Sequence, residues 1–490
     1  MLISKKMKRI NIKVLVMMVV VAASFGACKK ALDINDDPSR LTPDQANLSG
    51  LLGATIQFTA TSFFNVGQYG NSYPQYLAGF NSYEANIDAY NPYGFDNIWE
   101  SAYRDAMPNL KDMIDRAEKL GAPQYSGIGK VLFALTLMQS TDIWGDLPYS
   151  QAFKGPTVPS PTYDAQQDIY NTSLKALLDG AIADLAKPVP ATASLKVGTS
   201  DLIFGGTIAS WQKVAYGARA RYYLHLSKKD PANLAKAISD VSSAIDDQKG
   251  AVDLQLKYSQ ERPSPWYTNL GQPAITAKQG RPSYFLVNLM NGTGYFSGVI
   301  DPRLPKLFDN AGAATYVGRP VGALSTDPGA ILANSDITEK TYYGARTSPV
   351  PILTYAEMQF IKAEALIATD KAGAYTAYIN GIKGNMLKLG VSDADIATYT
   401  TNAVVTKNGN ITITDIMLQK YIALFLQMET WTDMRRYQYD ASIYPGLKQP
   451  NKNLLGNVYV QRAKYPDNEP GRNPNVPKIP NQAQKIWLFN

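Results

Sequence analysis

The sequence predicts a mostly α-helical protein in which paired helices form a scaffold and long irregular loops project from it. Three observations predict this. Apolar residues recur at alternating spacings of three and four over several segments, which places them on one helix face. The segments begin and end at recognisable signals, such as Thr354-Tyr-Ala-Glu357 before one run and Gly121 or Gly390 after others. Between them lie stretches rich in Pro, Gly, Asn and Tyr at 67–97, 255–350 and 440–490, far longer than the usual connections of a compact domain.

At the amino terminus, Lys5, Lys6, Lys8, Arg9 and Lys13 precede an uncharged apolar run from Val14 to Ala23. A basic start followed by a short apolar run is the pattern of a signal peptide. Ten helical residues reach roughly 15 Å, about half of a ~30 Å hydrocarbon core, so the run is too short for a comfortable permanent span. Ser24, Gly26 and Ala27 lead into Cys28, the only cysteine, and the segment resembles a bacterial lipobox. Residues 1–27 are therefore expected to be removed and Cys28 to carry lipid, with 28–50 as a lipidated tether. The turn-rich Asn35-Asp36-Asp37-Pro38 falls inside that tether. A single thiol excludes an intramolecular disulfide. The net charge of +7 includes five positive charges within residues 1–27 and falls to +2 without them, so charge gives no support for nucleic-acid binding. No linker divides 51–490, which is expected to be one domain.

The first clear helical stripe is Tyr103, Ala106, Leu110, Met113, Ala117 and Leu120, stopped by Gly121. Further helices are predicted near 126–142, 164–186, 208–227, 354–368, 372–389 and 414–436. Thr354 and Glu357 have the spacing of a capping box, with Leu353 and Met358 as the flanking staple. Ala363, Ala365 and Ala368 permit a close neighbour. Tyr375, Tyr378, Ile382, Met386 and Leu389 form the next stripe. Such pairs suggest tetratricopeptide-like hairpins, without a strict 34-residue repeat.

Few side chains offer catalytic chemistry. His225 is the sole histidine and falls on the stripe of Trp211, Ala215, Ala218 and Tyr222, so core packing is expected. Histidine-pair metal sites and cysteine–histidine nucleophiles are excluded, and no Gly-x-Ser-x-Gly elbow occurs. Glu429, Asp433, Arg435 and Arg436 read as an ion network that supports the fold, and Asp142 and Asp146 as carboxylates that fix a turn. No loop of EF-hand spacing supports calcium, and no cofactor is expected. Sugars present C–H faces and hydroxyl edges, which aromatic rings and planar amides or carboxylates complement. Two loops carry that mixture: one holds Asn81, Tyr83, Asp88, Tyr90, Asn91 and Tyr93, the other Trp266, Tyr267, Asn269, Tyr284 and Tyr295. These are the candidate ligand residues. A glycoside hydrolase using paired carboxylates is the rival expectation.

Several segments in order resemble the SusD/RagB family of nutrient-binding lipoproteins. They are Leu32-Asp-Ile-Asn-Asp-Asp-Pro38, Asp142-Ile-Trp-Gly-Asp-Leu-Pro-Tyr149, Ser160-Pro-Thr-Tyr-Asp164, Asp201-Leu-Ile-Phe-Gly-Gly206 before Trp211, and Asp301-Pro-Arg-Leu304. Gln419-Lys-Tyr-Ile-Ala-Leu-Phe425, Glu429-Thr-Trp-Thr-Asp-Met-Arg-Arg436 and Tyr465-Pro-Asp-Asn-Glu469 complete the set. The resemblance implies a SusD-like helical fold, a lipid anchor in the outer membrane facing the cell exterior, and a SusC-type TonB-dependent transporter as partner. It implies a glycan as ligand, with peptides as the main exception, and binding in place of catalysis.

Overall fold

The computed structural model describes residues 47–79, 87–273 and 280–490. Cys28, the expected leader and most of the expected tether lie outside them, as do Asn81 and Tyr83. Helices account for about 51% of the protein.

The scaffold is a succession of helices, each packed on its neighbour. α1 (Leu48–Gly70) lies against α2 (Met107–Leu120) and α3 (Pro123–Trp144). Gly121 takes φ +70° and closes α2, so only two residues separate it from α3. α3 then packs on α4 (Lys175–Leu185), which packs on α5 (Ile208–Leu226), and α5 on α6 (Asn233–Val241). The same order continues through α7 (Tyr355–Leu366), α8 (Lys371–Lys388) and α9 (Asp393–Thr401), and α10 (Ile413–Ala423) packs back on α7 and α8. α7 and α8 form a hairpin whose axes approach closely because Gly381 carries no side chain; a Cβ there would lie 2.9 Å from the Phe360 ring. α11 (Glu429–Arg436) follows. The strands are short: β1 (Leu77–Gly79), β2 (Leu254–Leu256), β3 (Gly280–Pro282) and β4 (Val350–Leu353) make two antiparallel ribbons, β1 with β3 and β2 with β4. Residues Leu48–Asn490 constitute one compact unit.

Four details depart from the sequence expectations. α1 reaches Gly70, so the loop expected from residue 67 begins later. The predicted 414–436 helix is two helices, because Leu426 adopts φ +65° between them and the left-handed conformation cannot continue a right-handed helix. Leu120, expected at the end of the buried α2 stripe, is 55% exposed. Finally, Thr354 caps α7 by accepting from the Glu357 amide at 3.3 Å, but the Glu357 carboxylate turns away to Arg221 at 2.6 and 2.7 Å. A buried guanidinium is the stronger partner for a carboxylate than one backbone amide, and only half of the capping box forms.

Candidate functional site

Motifs distant in sequence meet in the interior. His225 of α5, 1% exposed, lies with Nε2 2.6 Å from Glu429 Oε1 and Nδ1 3.2 Å from Asp142 Oδ2. Tyr170 donates to Asp142 at 2.5 Å, and Arg221 holds Glu357 and stands 3.5 Å from Glu429. Burial alone would lower the His225 pKa, but Glu429 and then Asp142 more than offset it and hold it at about 9. Beside this network, Lys420 meets Asp433 at 2.7 Å, and Arg436 bridges Asp433 at 2.5 Å and Glu364 at 2.8 Å. Each of these buried carboxylates faces a cation, the arrangement that burial of charge demands. The adjoining cavity, about 40 Å³, has no room for a saccharide. The interior network holds helices together.

An open cleft of about 600 Å³ lies at the surface beyond α2 and α3. Its wall is a ladder of rings. Trp99 stacks on Tyr103 with centroids 4.4 Å apart, and Tyr103 on Phe153 at 6.0 Å, both pairs within 21° of parallel. Two irregularities of the backbone present these rings. Tyr103 sits in a π-helical turn, Ser101–Ala106, inserted ahead of α2; such turns shift the register of every side chain after them and recur at functional sites. Phe153 holds φ +61°, a conformation that costs a bulky residue on the order of 1–2 kcal/mol. Both rings remain half-buried. The Tyr103 hydroxyl donates to Pro148 O at 3.0 Å, which fixes the ring. Polar groups complete the cleft: Gln151, Asp112, Asp115 and Glu469. Asp115 is matched by Lys111 at 2.6 Å and Asp112 by Arg116 at 2.8 Å. Tyr163 donates to Glu469 at 3.1 Å, and burial raises the Glu469 pKa. Rings flanked by amides and carboxylates are the complement of a carbohydrate. Among the described residues no group of three His, Cys, Asp or Glu side chains is placed to hold a metal ion.

The model of the SusD-like family, described as starch-binding and associating with the outer membrane, matches residues 40–466. The chain belongs to the SusD-like family. Solved structures agree with that membership at the level of fold. A SusD/RagB family protein from Bacteroides thetaiotaomicron matches with a TM-score of 0.73 at 23% identity, over 91% of this chain and 99% of that one. A chitin-binding protein matches at 0.69 and 22% identity, over 91% and 100%. A chitin-binding SusD homolog from Flavobacterium johnsoniae matches at 0.70 and 21% identity, over 90% and 98%. A sequence search of curated proteins finds no match.

The SusD-like fold scatters the ligand residues expected from the sequence. Asp88 is fully buried, accepts from the Gly322 amide at 2.5 Å and is pushed up to about 7 by burial. Tyr90 and Trp266 are each 1% exposed, and Trp266 packs edge-on against Phe64 at 4.6 Å. Tyr267 is buried beneath the Arg346 guanidinium. Asn269 is turned inward, donating to Pro265 O and accepting from Gln68. Tyr295 is half-buried and tied to Asp415 at 3.1 Å. Asn91 and Tyr284 are exposed, and Tyr93 is half-buried against Phe95. The buried rings among them, Tyr90, Trp266 and Tyr267, pin loops to the scaffold. β1 and β3 pair from Leu77 with Pro282 to Gly79 with Gly280; residues 80–86 and 274–279 lie outside the described set. Sequence reasoning passed over Trp99 and Phe153 and assigned Tyr103 to a buried stripe. Its one available signal was two aromatics four apart, Trp99 and Tyr103, which marks a shared helix face but not its exposure.

Proposed function

We propose that this protein captures a glycan in the aromatic cleft and hands it to a SusC-type TonB-dependent transporter, without chemically altering it. The observation that carries this reading is the ring ladder of Trp99, Tyr103 and Phe153, half-buried on the wall of an open cleft, in a chain whose family is described as starch-binding. Stacking supplies affinity, while Gln151 and the carboxylates select hydroxyl positions. Two fold relatives are chitin-binding proteins, which makes β-linked amino sugars the second class to test beside starch fragments. The lipid carried by Cys28 would hold the protein on the outer membrane, facing outward.

Isothermal titration with maltooligosaccharides and chitooligosaccharides tests the assignment. One series binds the parent, and Trp99→Ala weakens it at least tenfold; binding unchanged by that substitution would move the site elsewhere. Glu469, its pKa raised by burial, lines a cleft that also holds Asp112 and Asp115, an arrangement that favours a glycoside hydrolase. Chromatography of the titrated sugar after prolonged incubation decides between the two: intact sugar supports capture, and cleavage abolished by Glu469→Gln supports the hydrolase. Solubilisation in mild detergent should bring a large β-barrel protein with the chain, and a Cys28→Ser variant should leave the membrane fraction.

A further inference from the structure

Charge on the wall of the aromatic cleft is balanced. Lys111, Lys154, Asp112, Asp115 and Glu469 line it. Lys111 pairs with Asp115, and Arg116 answers Asp112. Lys154 and Glu469 remain, one charge of each sign, and neither is in an ion pair among the described residues. Three cations, Lys111, Arg116 and Lys154, thus stand against the three carboxylates. Such a wall offers a charged ligand no net attraction and still strips water from it, so the cleft suits a neutral one.

The second observation is the orientation of the polar groups. Gln151 Oε1 accepts from the Thr162 amide at 3.1 Å. A backbone N–H can only donate, so the atom it faces is the amide oxygen, and the –NH2 of this cleft-lining residue is left as a donor without a partner among the described residues. On the next residue of the same stretch, the Tyr163 hydroxyl occupies Glu469 Oε1 at 3.1 Å, which leaves Oε2 as an acceptor. Pro148, Ala152, Val158 and Pro161 line the same cleft, and none of their side chains can make a hydrogen bond. The wall therefore offers a donor, an acceptor and apolar surface close together. A hydroxyl uses the donor or the acceptor and leaves the apolar surface empty. An acetamido group uses all three, because its C=O accepts, its N–H donates and its methyl is apolar.

On the reading of this cleft as the glycan site, we propose that it selects a neutral saccharide bearing an acetamido group, and that Gln151 is the residue that determines this preference by donating from its –NH2 to the acetamido carbonyl. Glu469 Oε2 accepts from the acetamido N–H, and the methyl lies on the apolar wall.

Titration calorimetry of the full chain with tri-N-acetylchitotriose, cellotriose, chitotriose and maltotriose tests the proposal. The first three share one β-linked backbone and carry at the same carbon an acetamido group, a hydroxyl or an amine. The acetylated trimer should bind at least about tenfold more tightly than either of the other two, because a site built for an amide leaves its donor and acceptor unpaired when the amide is missing. Gln151→Glu keeps an oxygen for the Thr162 amide and replaces the donor by an acceptor, so its thermal unfolding should match the parent's, while the preference for the acetylated trimer over cellotriose should shrink to about twofold or less. Saturation-transfer NMR supplies a measurement that needs no variant: the acetyl methyl of the bound trimer should receive more saturation than any ring proton. The proposal is overturned if cellotriose or chitotriose binds as tightly as the acetylated trimer, if Gln151→Glu keeps the parent's preference, or if the methyl is the least saturated group. Maltotriose binding that Trp99→Ala weakens, with no preference for the acetylated trimer, would sink the acetamido assignment and leave glycan capture in this cleft standing; sugar binding indifferent to Trp99→Ala would sink both.

Discussion

Raising the pH above neutrality should weaken this protein through His225. Its folded pKa is about 9 against 6.5 for the free side chain, because Glu429 and Asp142 stabilise the imidazolium by more than burial destabilises it. The proton bound by the native state but not by the unfolded chain is worth about 3 kcal/mol, from some 2.5 pKa units at ~1.4 kcal/mol each. The sign follows from the direction of the shift. Below about pH 6.5 both states carry the proton and the stabilisation is complete; it declines as the pH climbs towards 9 and is gone above it. The depressed pKa of Glu429 is the same contact viewed from the carboxylate and adds no second contribution. Because the chain has a single histidine, one imidazole resonance reports the titration directly. Its midpoint should lie near 9 in the folded protein and near 6.5 in concentrated urea. Urea unfolding of the parent should lose about 3 kcal/mol more between pH 6 and pH 9.5 than unfolding of His225→Gln. A folded midpoint at or below 6.5, or equal pH slopes for the two proteins, would refute the ion-pair account.

Three other expectations follow from the geometry. Asp433→Asn leaves Lys420 and Arg436 facing one carboxylate where there were two, and urea unfolding should register a loss of about 3–5 kcal/mol; joint replacement of Lys420 by Met and Asp433 by Leu should recover most of it. Phe153→Gly removes a ladder ring but releases a left-handed backbone, so thermal unfolding should move little while glycan affinity drops about tenfold. Gly271→Ala would place a Cβ 1.9 Å from the Gly344 carbonyl oxygen, backbone against backbone, and should cost about 3 kcal/mol or more. Gly456→Ala, at φ +82° with nothing within 4 Å, supplies the comparison at about 1 kcal/mol.

Helices with an apolar stripe were legible: Pro123–Trp144, Ile208–Leu226, Tyr355–Leu366 and Lys371–Lys388 lie within a few residues of their predicted bounds. α1 was not delineated, because its buried side includes Thr55, Thr59, Ser62 and Gln68 and polar residues blur the period. That omission explains why the buried Trp266 stood among the candidate ligand residues. Trp266 reads as a loop aromatic only while nothing is known to lie beneath it; in the fold it drops onto α1, where Phe64 meets its ring and Gly67 leaves the space. A ring in a long loop is therefore exposed or buried according to a partner hundreds of residues away, which no local pattern records.

Two of the segments that resemble the family's motifs lie beneath the aromatic cleft, and this division of labour has a physical basis. Trp144, from the Asp142–Tyr149 segment, sends its indole N–H to Lys464 O at 2.9 Å and meets Trp99 edge-on at 5.1 Å. Tyr465, from the last motif, donates to Asp146 O at 2.8 Å and meets the same Trp99 at 6.4 Å. Asp142 itself is tied to His225 and Tyr170 in the core. The ladder thus rests on buried contacts between segments some 320 residues apart in sequence, and each needs a particular donor, acceptor or ring. Such contacts restrict residue type tightly and leave a recognisable sequence. The outer rungs face solvent, and the residue that completes the ladder, Phe153, is set by a backbone angle that no spacing rule anticipates. A site built this way lets its outer surface change ligand while the base stays fixed, so substitutions at Phe153 and Gln151 should alter which sugar binds, and substitutions at Trp144 or Tyr465 should disturb the fold before they alter preference.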